Sequence, residues 1–218
     1  MQVSLIPISG EVGIVVNSLC SIQTKVVMPR SGQQTRERIL ENAYRQFRRK
    51  GYTRVSMDSI AAASRVTKRT LYYHFESKDT LLASVLEAQH QLALAAFKTF
   101  GDQLSGSPLG IIEGLFHDLV AWADTPRWAG SGFTRLVVEL ADLPGHPARR
   151  IARRHKAMLE AHFADVLERA GVALPLERAR EIWLLSEGAI SLMLVHGDRR
   201  YALAAAVAAK KLLKASIS

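Results

Sequence analysis

The stretch that decides the fold is Ser56-Met57-Asp58-Ser59-Ile60-Ala61-Ala62-Ala63-Ser64-Arg65-Val66-Thr67-Lys68-Arg69-Thr70-Leu71-Tyr72-Tyr73-His74-Phe75. It contains two short runs, 57–63 and 68–74. Each run follows a residue, Ser56 or Thr67, whose side chain can cap the free amides of a helix start. Apolar side chains that can lock two such helices together recur along the stretch: Ile60, Ala61, Val66, Leu71 and Phe75. The pattern predicts two short helices joined by a tight turn, a helix-turn-helix.

The second of these helices begins with polar side chains. In helix-turn-helix proteins this end of the second helix enters the major groove and contacts base edges. The residues at this end are Thr67, Lys68, Arg69 and Thr70. Their two cations and two hydroxyl groups suit guanine acceptors, phosphates and thymine methyl groups, and a helix N-terminus itself attracts phosphate. The motif therefore predicts binding to double-stranded DNA.

Helical periodicity continues on both sides of the motif. Upstream, apolar residues recur at three- and four-residue steps from Ile39 to Phe47 and stop at Gly51, which predicts a helix over about 33–50. Downstream, similar patterns predict helices at about 77–100, 108–123, 131–142, 147–170, 176–196 and 199–214. Strand signals are almost absent. The sequence predicts an all-α fold of about nine helices.

The run from Thr35 to Leu82 resembles the DNA-binding domain of the tetracycline-repressor (TetR) family. The matching elements are Arg38-Ile39-Leu40 with Ala43 and Phe47, Gly51-Tyr52, Ser56-Met57, Ile60-Ala61, the run from Val66 to Phe75, and Ser77-Lys78. The resemblance implies an N-terminal three-helix helix-turn-helix DNA-binding domain, followed by a larger helical domain for ligand binding and dimerisation. We assign the first domain to residues 33–80 and the second to residues 81–214.

The same resemblance implies a function. The family consists of homodimers that bind a palindromic operator and release it when a small molecule enters the C-terminal domain. We therefore expect a ligand-responsive transcriptional repressor with an unknown small-molecule effector. One alternative is a protein that coats DNA without sequence preference, and another is a TetR-like regulator whose C-terminal domain binds a protein partner. The chain contains no sequence pattern of a catalytic site, so an enzyme is not expected.

The resemblance also implies which residues contact DNA. Together with the helix start, the set is Thr67, Lys68, Arg69, Thr70, Tyr72, Tyr73, His74 and Lys78. Lys68, Arg69 and Thr70 match base-reading positions. Tyr72 is similar to a position that can reach a base or a sugar, and the last three residues of the set resemble phosphate clamps. Packing within the subunit is the alternative for each tyrosine, because aromatic residues near a helix end often bury one face, and a solvated surface position is the alternative for Lys78.

Two positions depart from the family pattern. Where the family commonly has Ala-Gly in the turn, this chain has Ser64-Arg65. A residue other than glycine in a left-handed turn position costs roughly 1 kcal/mol. Where a small glycine is common after the lysine of the second helix, this chain has Arg69. Its guanidinium adds a group facing the groove or a neighbouring phosphate, so base preference cannot be copied from relatives.

Charge and composition limit the classes of partner that the chain is expected to bind. The 218 residues carry a net charge of +9, and residues 30–80 hold twelve basic against five acidic side chains, or +7, which favours a polyanionic partner. A second basic run, from Arg149 to Lys156, is interpreted as a solvated helix face. The single cysteine, Cys20, excludes a disulfide framework and indicates a reducing compartment, with the cytoplasm as the expectation. No apolar run approaches the roughly 20 residues of a membrane span, so no membrane partner is expected.

The helix predicted over 147–170 places His155 and His162 on its apolar stripe. Core histidines with satisfied hydrogen bonds are one interpretation, and polar contacts inside a mostly apolar ligand cavity are the other. With nearby aromatic residues, the candidate ligand-binding set is Trp122, Trp128, Phe133, His155, His162 and Trp183. Ordinary core packing is the alternative for each aromatic residue. No carboxylate stands at a metal-ligand spacing from either histidine, so neither a metal nor a cofactor is expected.

The helix predicted over 176–196 is apolar nearly all round from Ile182 to Val195, so it must be covered on two sides. Its own core covers one side, and a partner subunit is expected to cover the other. Small residues in this helix and the next would permit close approach of the partner: Gly188, Ala189, Ser191, Ala202, Ala205, Ala206 and Ala209. The pattern predicts a homodimer with a four-helix interface built from helices 176–196 and 199–214.

Residues 1–32 precede the first predicted domain. Up to residue 28 they mix glycine, proline and serine with short β-branched runs, and they lack the cationic start of a signal peptide. The segment is interpreted as a disordered extension. Met28 stands just before the basic, periodic part of the chain and is a candidate for the native start.

Overall fold

A computed structural model describes residues 32–103 and 107–214; for residues 96–103 only the backbone is described. Over these ranges the chain forms nine α-helices and no strand, so the predicted all-α fold is confirmed. The helices are α1 Gly32–Lys50, α2 Met57–Ala63, α3 Lys68–His74, α4 Lys78–Gln103, α5 Pro108–Ala123, α6 Gly132–Glu139, α7 Pro147–Arg169, α8 Pro175–His196 and α9 Arg200–Lys214. The predicted N-terminal extension and the candidate start Met28 lie outside the described residues, except that Gly32 begins α1.

The helix-turn-helix predicted from residues 56–75 is present as α2 and α3. Ser56 caps α2 by accepting a hydrogen bond from the Ser59 amide at 3.1 Å, and Thr67 caps α3 by accepting one from the Thr70 amide at 3.0 Å. Each cap satisfies an amide that has no partner inside its own helix. The two predicted helix starts are therefore confirmed.

The turn between α2 and α3 contains a left-handed residue at the position where the sequence departs from glycine. Arg65 has a φ of +52°, a conformation that only glycine adopts without steric cost. The preceding residue, Ser64, is buried, and its carbonyl oxygen accepts a 2.8 Å hydrogen bond from Nε of Arg38 in α1. This contact helps to offset the roughly 1 kcal/mol that a left-handed residue other than glycine costs.

The described chain divides into two compact units. The first unit comprises residues 32–92 and 131–157, and so contains α1 to α3, α6 and parts of α4 and α7. Its core is formed by buried apolar side chains from all of these helices and the loops between them: Ile39, Leu40, Ala43, Tyr44, Phe47, Val55, Met57, Ile60, Ala61, Leu71, Phe75, Leu81, Leu82, Val85, Leu86, Leu136, Leu140 and Ala148. The residues predicted to bind DNA, 33–80, therefore share one core with residues beyond position 80.

Hydrogen bonds connect α6 to the end of α1 and the residues that follow it within this unit. Gly51, which stops α1 as predicted, has a φ of +82°, and a Cβ atom there would lie 2.6 Å from Oε1 of Glu139. The Glu139 carboxylate accepts hydrogen bonds from the amide and the hydroxyl of Thr53, at 3.2 and 3.0 Å. Nη1 of Arg135 donates to the carbonyl oxygen of Arg48 at 3.0 Å. The positive φ favours glycine at position 51, and a larger residue there would also displace the Glu139 carboxylate.

The second unit comprises the described residues from 93 to 130 and 158–214. Its helices α5, α8 and α9 contact one another in all three pairs. The fully buried core includes Ile111, Ile112, Phe116, Phe163, Leu167, Ala179, Ile182, Met193, Ala202, Ala209 and Leu213. Alanines predominate on the buried face of α9, which permits the close approach of the neighbouring helices.

The prediction that small residues form the dimer interface is wrong for four positions. Four of the small residues expected there are buried in the core of their own subunit: Ala189, Ala202, Ala205 and Ala209. The exposed face of α8 and α9 carries larger apolar side chains: Leu184, Leu192, Val195, Leu203 and Val207. Gly188 and Ser191 lie on the exposed side of α8 with them. The small side chains allow helices of one subunit to approach each other, and the branched ones are left exposed.

Two predicted helix ends also differ. α6 ends at Glu139 and not at 142, because the amides of Leu140 and Ala141 donate to the carbonyl oxygens of Val137 and Val138, which begins a series of tight turns. α4 continues to Gln103, beyond its predicted end near residue 100. The other helix bounds lie within about one residue of the prediction, as is normal for assignments of helix ends.

The helices of the described part of the chain are too short or too polar to cross a membrane. The apolar stretch of α8, for example, is interrupted near its centre by Glu187 and Gly188. A spanning helix needs roughly 20 predominantly apolar residues in succession.

Candidate nucleic-acid interface

The residues predicted to read bases lie at the start of α3. Thr67 is exposed, and its hydroxyl both accepts the Thr70 amide and lies 2.8 Å from the Thr70 hydroxyl. Leu71, one residue further on, is fully buried in the core of the first unit. The cap and the buried leucine fix the start of α3 before any DNA is bound.

The two cations of this helix start have different surroundings. Nζ of Lys68 lies 2.9 Å from Oδ1 of Asp58 in α2, and both side chains are exposed. The hydrogen bond from Lys68 to Asp58 and the negative charge of that carboxylate raise the pKa of Lys68. Arg69 is exposed, and no carboxylate of the described residues pairs with it. To contact a phosphate or a base, Lys68 would first have to break its ion pair with Asp58, whereas Arg69 would break no ion pair of the described residues.

The aromatic residues later in α3 differ in their exposure to solvent. Tyr73 is 85% exposed, so packing within the subunit does not account for it. Its ring meets the His74 ring edge-on, with centroids 5.3 Å apart, and His74 is half-buried. Tyr72 is also exposed. Exposed phenol hydroxyls on this helix can donate to phosphate oxygens, as tyrosine does in many protein–DNA complexes.

Lys78, the last of the predicted DNA contacts, begins α4 and is half-buried. Its Nζ lies 4.2 Å from the centroid of the Tyr52 ring and 3.4 Å from the carbonyl oxygen of Thr53. Burial lowers the pKa of Lys78, while the negative charges of Asp79 and Glu139 act in the opposite direction. The amine is thus held by its own subunit and does not lie on a freely solvated surface. A phosphate contact by Lys78 stays a prediction.

A polar cluster that no sequence pattern predicts lies beside Lys78 and is formed by Tyr52, Asp79 and His146. The Tyr52 hydroxyl donates to Oδ1 of Asp79, and Nε2 of His146 lies 3.5 Å from Oδ2 of the same carboxylate. Nδ1 of His146 accepts the Ala148 amide at 3.1 Å, so the ring carries its proton on Nε2, facing Asp79. Burial and the Asp79 contact raise the pKa of Tyr52. Tyr52 belongs to the family pattern, but no sequence spacing connects it to a histidine so far along the chain.

Four of the six candidate ligand-binding residues lie in the second unit: Trp122, Trp128, His162 and Trp183. The rings of Trp122 and Trp128 meet edge to face with centroids 5.5 Å apart, and Trp122 belongs to the buried core. Among the described residues, the indole N–H groups of these two have no hydrogen-bond acceptor. His162 and Trp183 are half-buried. A ligand contact stays a prediction for all four.

The other two candidates, Phe133 and His155, lie in the first unit and stack with ring centroids 3.8 Å apart. His155 is buried, and its Nδ1 lies 3.1 Å from Nδ1 of His90 in α4. One of the two nitrogens donates and the other accepts, so at least one ring must be neutral. This placement matches the interpretation of His155 as a core histidine with a satisfied hydrogen bond.

The histidine pair should make the stability of the protein depend on pH. Burial lowers the pKa of His155 to about 3, and the positive charge of Lys156 and the neighbouring His90 act in the same direction. Burial also lowers the pKa of His90, with Arg154 adding to the effect and Glu87 opposing it. In the unfolded chain both histidines titrate near the ordinary value of about 6.5. Below that pH the unfolded state binds protons that the folded state does not, so the free energy of unfolding falls as the pH falls.

We expect that fall to be roughly 1 kcal/mol for each pH unit below about 6, measured by urea unfolding at a series of pH values. His155→Asn should flatten the dependence, because an amide can still bond His90 but does not titrate. His117→Asn is the control, since His117 is exposed and its replacement should leave the dependence unchanged. An equal slope in the wild type and the His155→Asn variant would contradict the assignment to this pair.

Phe133 also lines an open cavity between α6 and α7, which has a volume of about 520 Å³. It is the one member of the candidate ligand-binding set on this cavity wall. The wall also includes His146 and four of the five cations in the basic run, Arg149, Arg150, Arg153 and Lys156, so this part of the run is more than a solvated helix face. The fifth, Arg154, pairs with Glu87. Within the described ranges, no three His, Cys, Asp or Glu side chains are grouped so that they could hold a metal ion.

Comparison with known proteins links the helix-turn-helix to one group of regulators. The family model described as bacterial regulatory proteins, tetR family, matches residues 39–85. The HTH-type transcriptional regulator TtgR of Pseudomonas putida is 31% identical over 99 residues, which are 44% of this chain and 47% of TtgR. AcrR of Shigella flexneri is 32% identical over 88 residues, which are 40% of this chain and 41% of AcrR. The chain spans about half the length of the curated relatives it matches, or less.

Solved structures extend the similarity to most of the chain. A Streptomyces avermitilis protein assigned as a tetR transcriptional regulator is 32% identical with a TM-score of 0.71, covering 84% of this chain and 97% of that protein. SCO4454, a TetR-family transcriptional regulator of Streptomyces coelicolor, has a TM-score of 0.75 at 24% identity, covering 85% of this chain and 97% of that one. The second match shows a common fold. The first also has the identity and the coverage expected within one family.

Proposed function

Because the chain belongs to the tetR family of bacterial regulatory proteins, we propose that it is a ligand-responsive transcriptional repressor. It binds a palindromic operator in double-stranded DNA as a homodimer, and it releases that DNA when a small-molecule effector binds. Residues 33–80 contact the DNA, and residues 81–214 bind the effector and form the dimer. A protein with this role works in the cytoplasm, where bacterial DNA lies.

The observation that carries the proposal is the rigid, exposed start of α3. Thr67 caps it, Leu71 anchors it in the core, and Arg69 is exposed between them. A helix fixed in this way presents the same side chains to each DNA site, which reading of a sequence requires. A protein that only coats DNA needs positive charge but has no need for a preorganised reading helix.

An exposed apolar face on α8 and α9 supports the homodimer. Its large side chains are Leu184, Leu192, Val195, Leu203 and Val207. A stable interface buries roughly 800 Å² on each partner, and an apolar patch of that size is uncommon on a monomer. In a dimer with two-fold symmetry the same face of each subunit is used, and the two α3 helices then match the two halves of a palindrome.

The effector site has its best structural support in the first unit. The cavity lined by Phe133 lies within the roughly 300–1,000 Å³ that is usual for small-molecule sites. His155 supports the Phe133 ring from behind by stacking on it. Contacts of an effector with Trp122, Trp128, His162 or Trp183 remain proposals based on the sequence.

Selection of bound sequences from a random pool of double-stranded DNA tests the proposed function. We expect a palindromic consensus whose binding weakens steeply as the salt concentration rises, because the cations of α1 and α3 displace counterions from phosphates. A pool that yields no sequence preference would indicate a DNA-coating protein and contradict the proposal. A consensus without two-fold symmetry would contradict the homodimer.

A further inference from the structure

The cavity between α6 and α7 carries a concentration of positive charge. Four cations of α7 line it: Arg149, Arg150, Arg153 and Lys156. Among the described residues, no aspartate or glutamate lines it. Cations gathered on one concave wall attract an anion.

The arginines are spaced to hold one anionic group. Nη1 of Arg149 donates to the Ala141 carbonyl oxygen at 3.0 Å, so this guanidinium is fixed against the turns that follow α6. Arg150 and Arg153 are exposed and stand three residues apart, which places them as neighbours on the surface of α7. A guanidinium offers a planar pair of N–H donors that matches the two oxygens of a carboxylate. An anion is therefore expected between Arg150 and Arg153.

The wall contributed by α6 is mostly apolar, with Thr134 as a polar member. Phe133 and Val137 are half-buried in it, and Val138 is 67% exposed. The Phe133 ring is held in place by its stacking on the buried His155. A cavity with one apolar and one cationic wall suits a molecule that has a hydrocarbon body and an anionic end. A DNA phosphate backbone would leave the apolar wall in water.

We propose that this cavity binds an amphipathic organic carboxylate, with its carboxylate between Arg150 and Arg153 and its hydrocarbon body on Phe133 and Val138. The ligand class is a medium-chain fatty acid or an acid with an aromatic body of similar size. The inference rests on the proposed function in that it names the chemical class of the effector and its place. Binding itself can be measured without DNA.

The cavity wall is connected to the DNA-reading part of the same unit through His146. This residue lines the cavity, and its Nε2 faces Oδ2 of Asp79 at 3.5 Å. Asp79 lies in the first turn of α4, the helix that follows α3, and accepts a hydrogen bond from the Tyr52 hydroxyl. A ligand that displaces His146 would loosen this set of contacts. Binding in the cavity and binding to DNA then oppose each other, and the opposition is reciprocal.

Calorimetric titration of the full-length protein with octanoate tests the site. We expect octanoate to bind about tenfold more tightly than octan-1-ol, which has the same chain without the charge, because charge-assisted hydrogen bonds to guanidinium are strong. Arg150→Gln and Arg153→Gln should each remove about this tenfold preference. Val138→Gln should weaken both ligands. Arg127→Gln, at an exposed arginine outside the cavity, is the matched control and should change neither.

Titration of octanoate into the complex with the selected DNA separates this inference from the proposed function. We expect release of the DNA by the wild type and not by Arg150→Gln or Arg153→Gln. If the protein selects an operator but binds octanoate no better than octan-1-ol, the inference is overturned and the proposed function stands. If octanoate binds as expected but no operator is selected, the cavity assignment is supported and the proposed function fails. If the arginine variants lose DNA binding while octanoate binding is unchanged, the surface belongs to the DNA interface and the inference is overturned.

Discussion

Replacing Leu203 with arginine is expected to give a monomer that binds operator DNA roughly 100-fold more weakly than the wild type. Leu203 lies on α9 and is 57% exposed in a single subunit, and the neighbouring helix α8 carries exposed leucines and Val195. In a dimer with two-fold symmetry the substitution is present twice in one interface. An unpaired charge buried there costs about 3–5 kcal/mol, which is enough to separate subunits at micromolar concentration.

Light scattering at micromolar concentration and operator titration check this result. Thermal unfolding should be little affected apart from the loss of the dimer, because Leu203 is exposed and is not part of the core of its own subunit. Leu143→Arg is the matched control, since Leu143 is also about half exposed but lies in a turn of the first unit. Ala205→Arg is not a suitable test, because Ala205 is buried and the change would unfold the subunit. A Leu203→Arg variant that remains dimeric, together with a dimeric Leu184→Arg variant, would remove α8 and α9 from the interface.

The helix-turn-helix could be predicted because its determinants are local. Ser56 and Thr67 act within three residues of their own positions, and the glycine at 51 ends α1 through its own φ. The left-handed turn at Arg65 could be anticipated as well, because the family pattern places a glycine there. None of these features depends on a partner that is distant along the chain.

Which face of α8 packs inside its own subunit could not be predicted from local signals. An apolar helix indicates burial on more than one side, but the pattern does not show which side meets its own subunit. The sequence correctly indicated that alanines permit close approach, and the close approach is between α9, α8 and α5 of one subunit. The larger side chains, such as Leu184 and Leu203, are left on the outside.

The cavity could not be predicted either, because it depends on contacts between residues that are distant in the sequence. The basic run on α7 has the composition of a solvated face, and it becomes a cavity wall because residues 140–146 form tight turns that bring α7 back beside α6. Phe133 was singled out for its aromatic character alone. Its support by His155, and the contact of His155 with His90, join three helices and cannot be inferred from spacing.

Replacing Arg69 with alanine is expected to weaken operator binding by about 1–3 kcal/mol and to relax the base preference at one position in each half-site. Arg69 lies at the capped start of α3, and in the described part of the chain no carboxylate forms an ion pair with it. Its guanidinium can donate to O6 and N7 of one guanine at the same time. A contact with a phosphate would instead be equally strong on every sequence, because phosphates carry no sequence information.

Arg69→Lys distinguishes these two contacts. Lysine keeps the charge but loses the planar pair of donors, so a phosphate contact would survive the change and a bidentate guanine contact would not. Binding of both variants should be measured by titration on the selected operator and on a scrambled duplex at equal salt, with Arg49→Ala as a control that removes the same charge from an exposed position at the end of α1. Guanine reading requires that Arg69→Lys loses most of the preference for operator over scrambled DNA while its affinity for the scrambled duplex stays close to that of the wild type. Equal losses on both duplexes in Arg69→Ala, restored by lysine, would assign Arg69 to a phosphate and leave the reading of bases to its neighbours in α3.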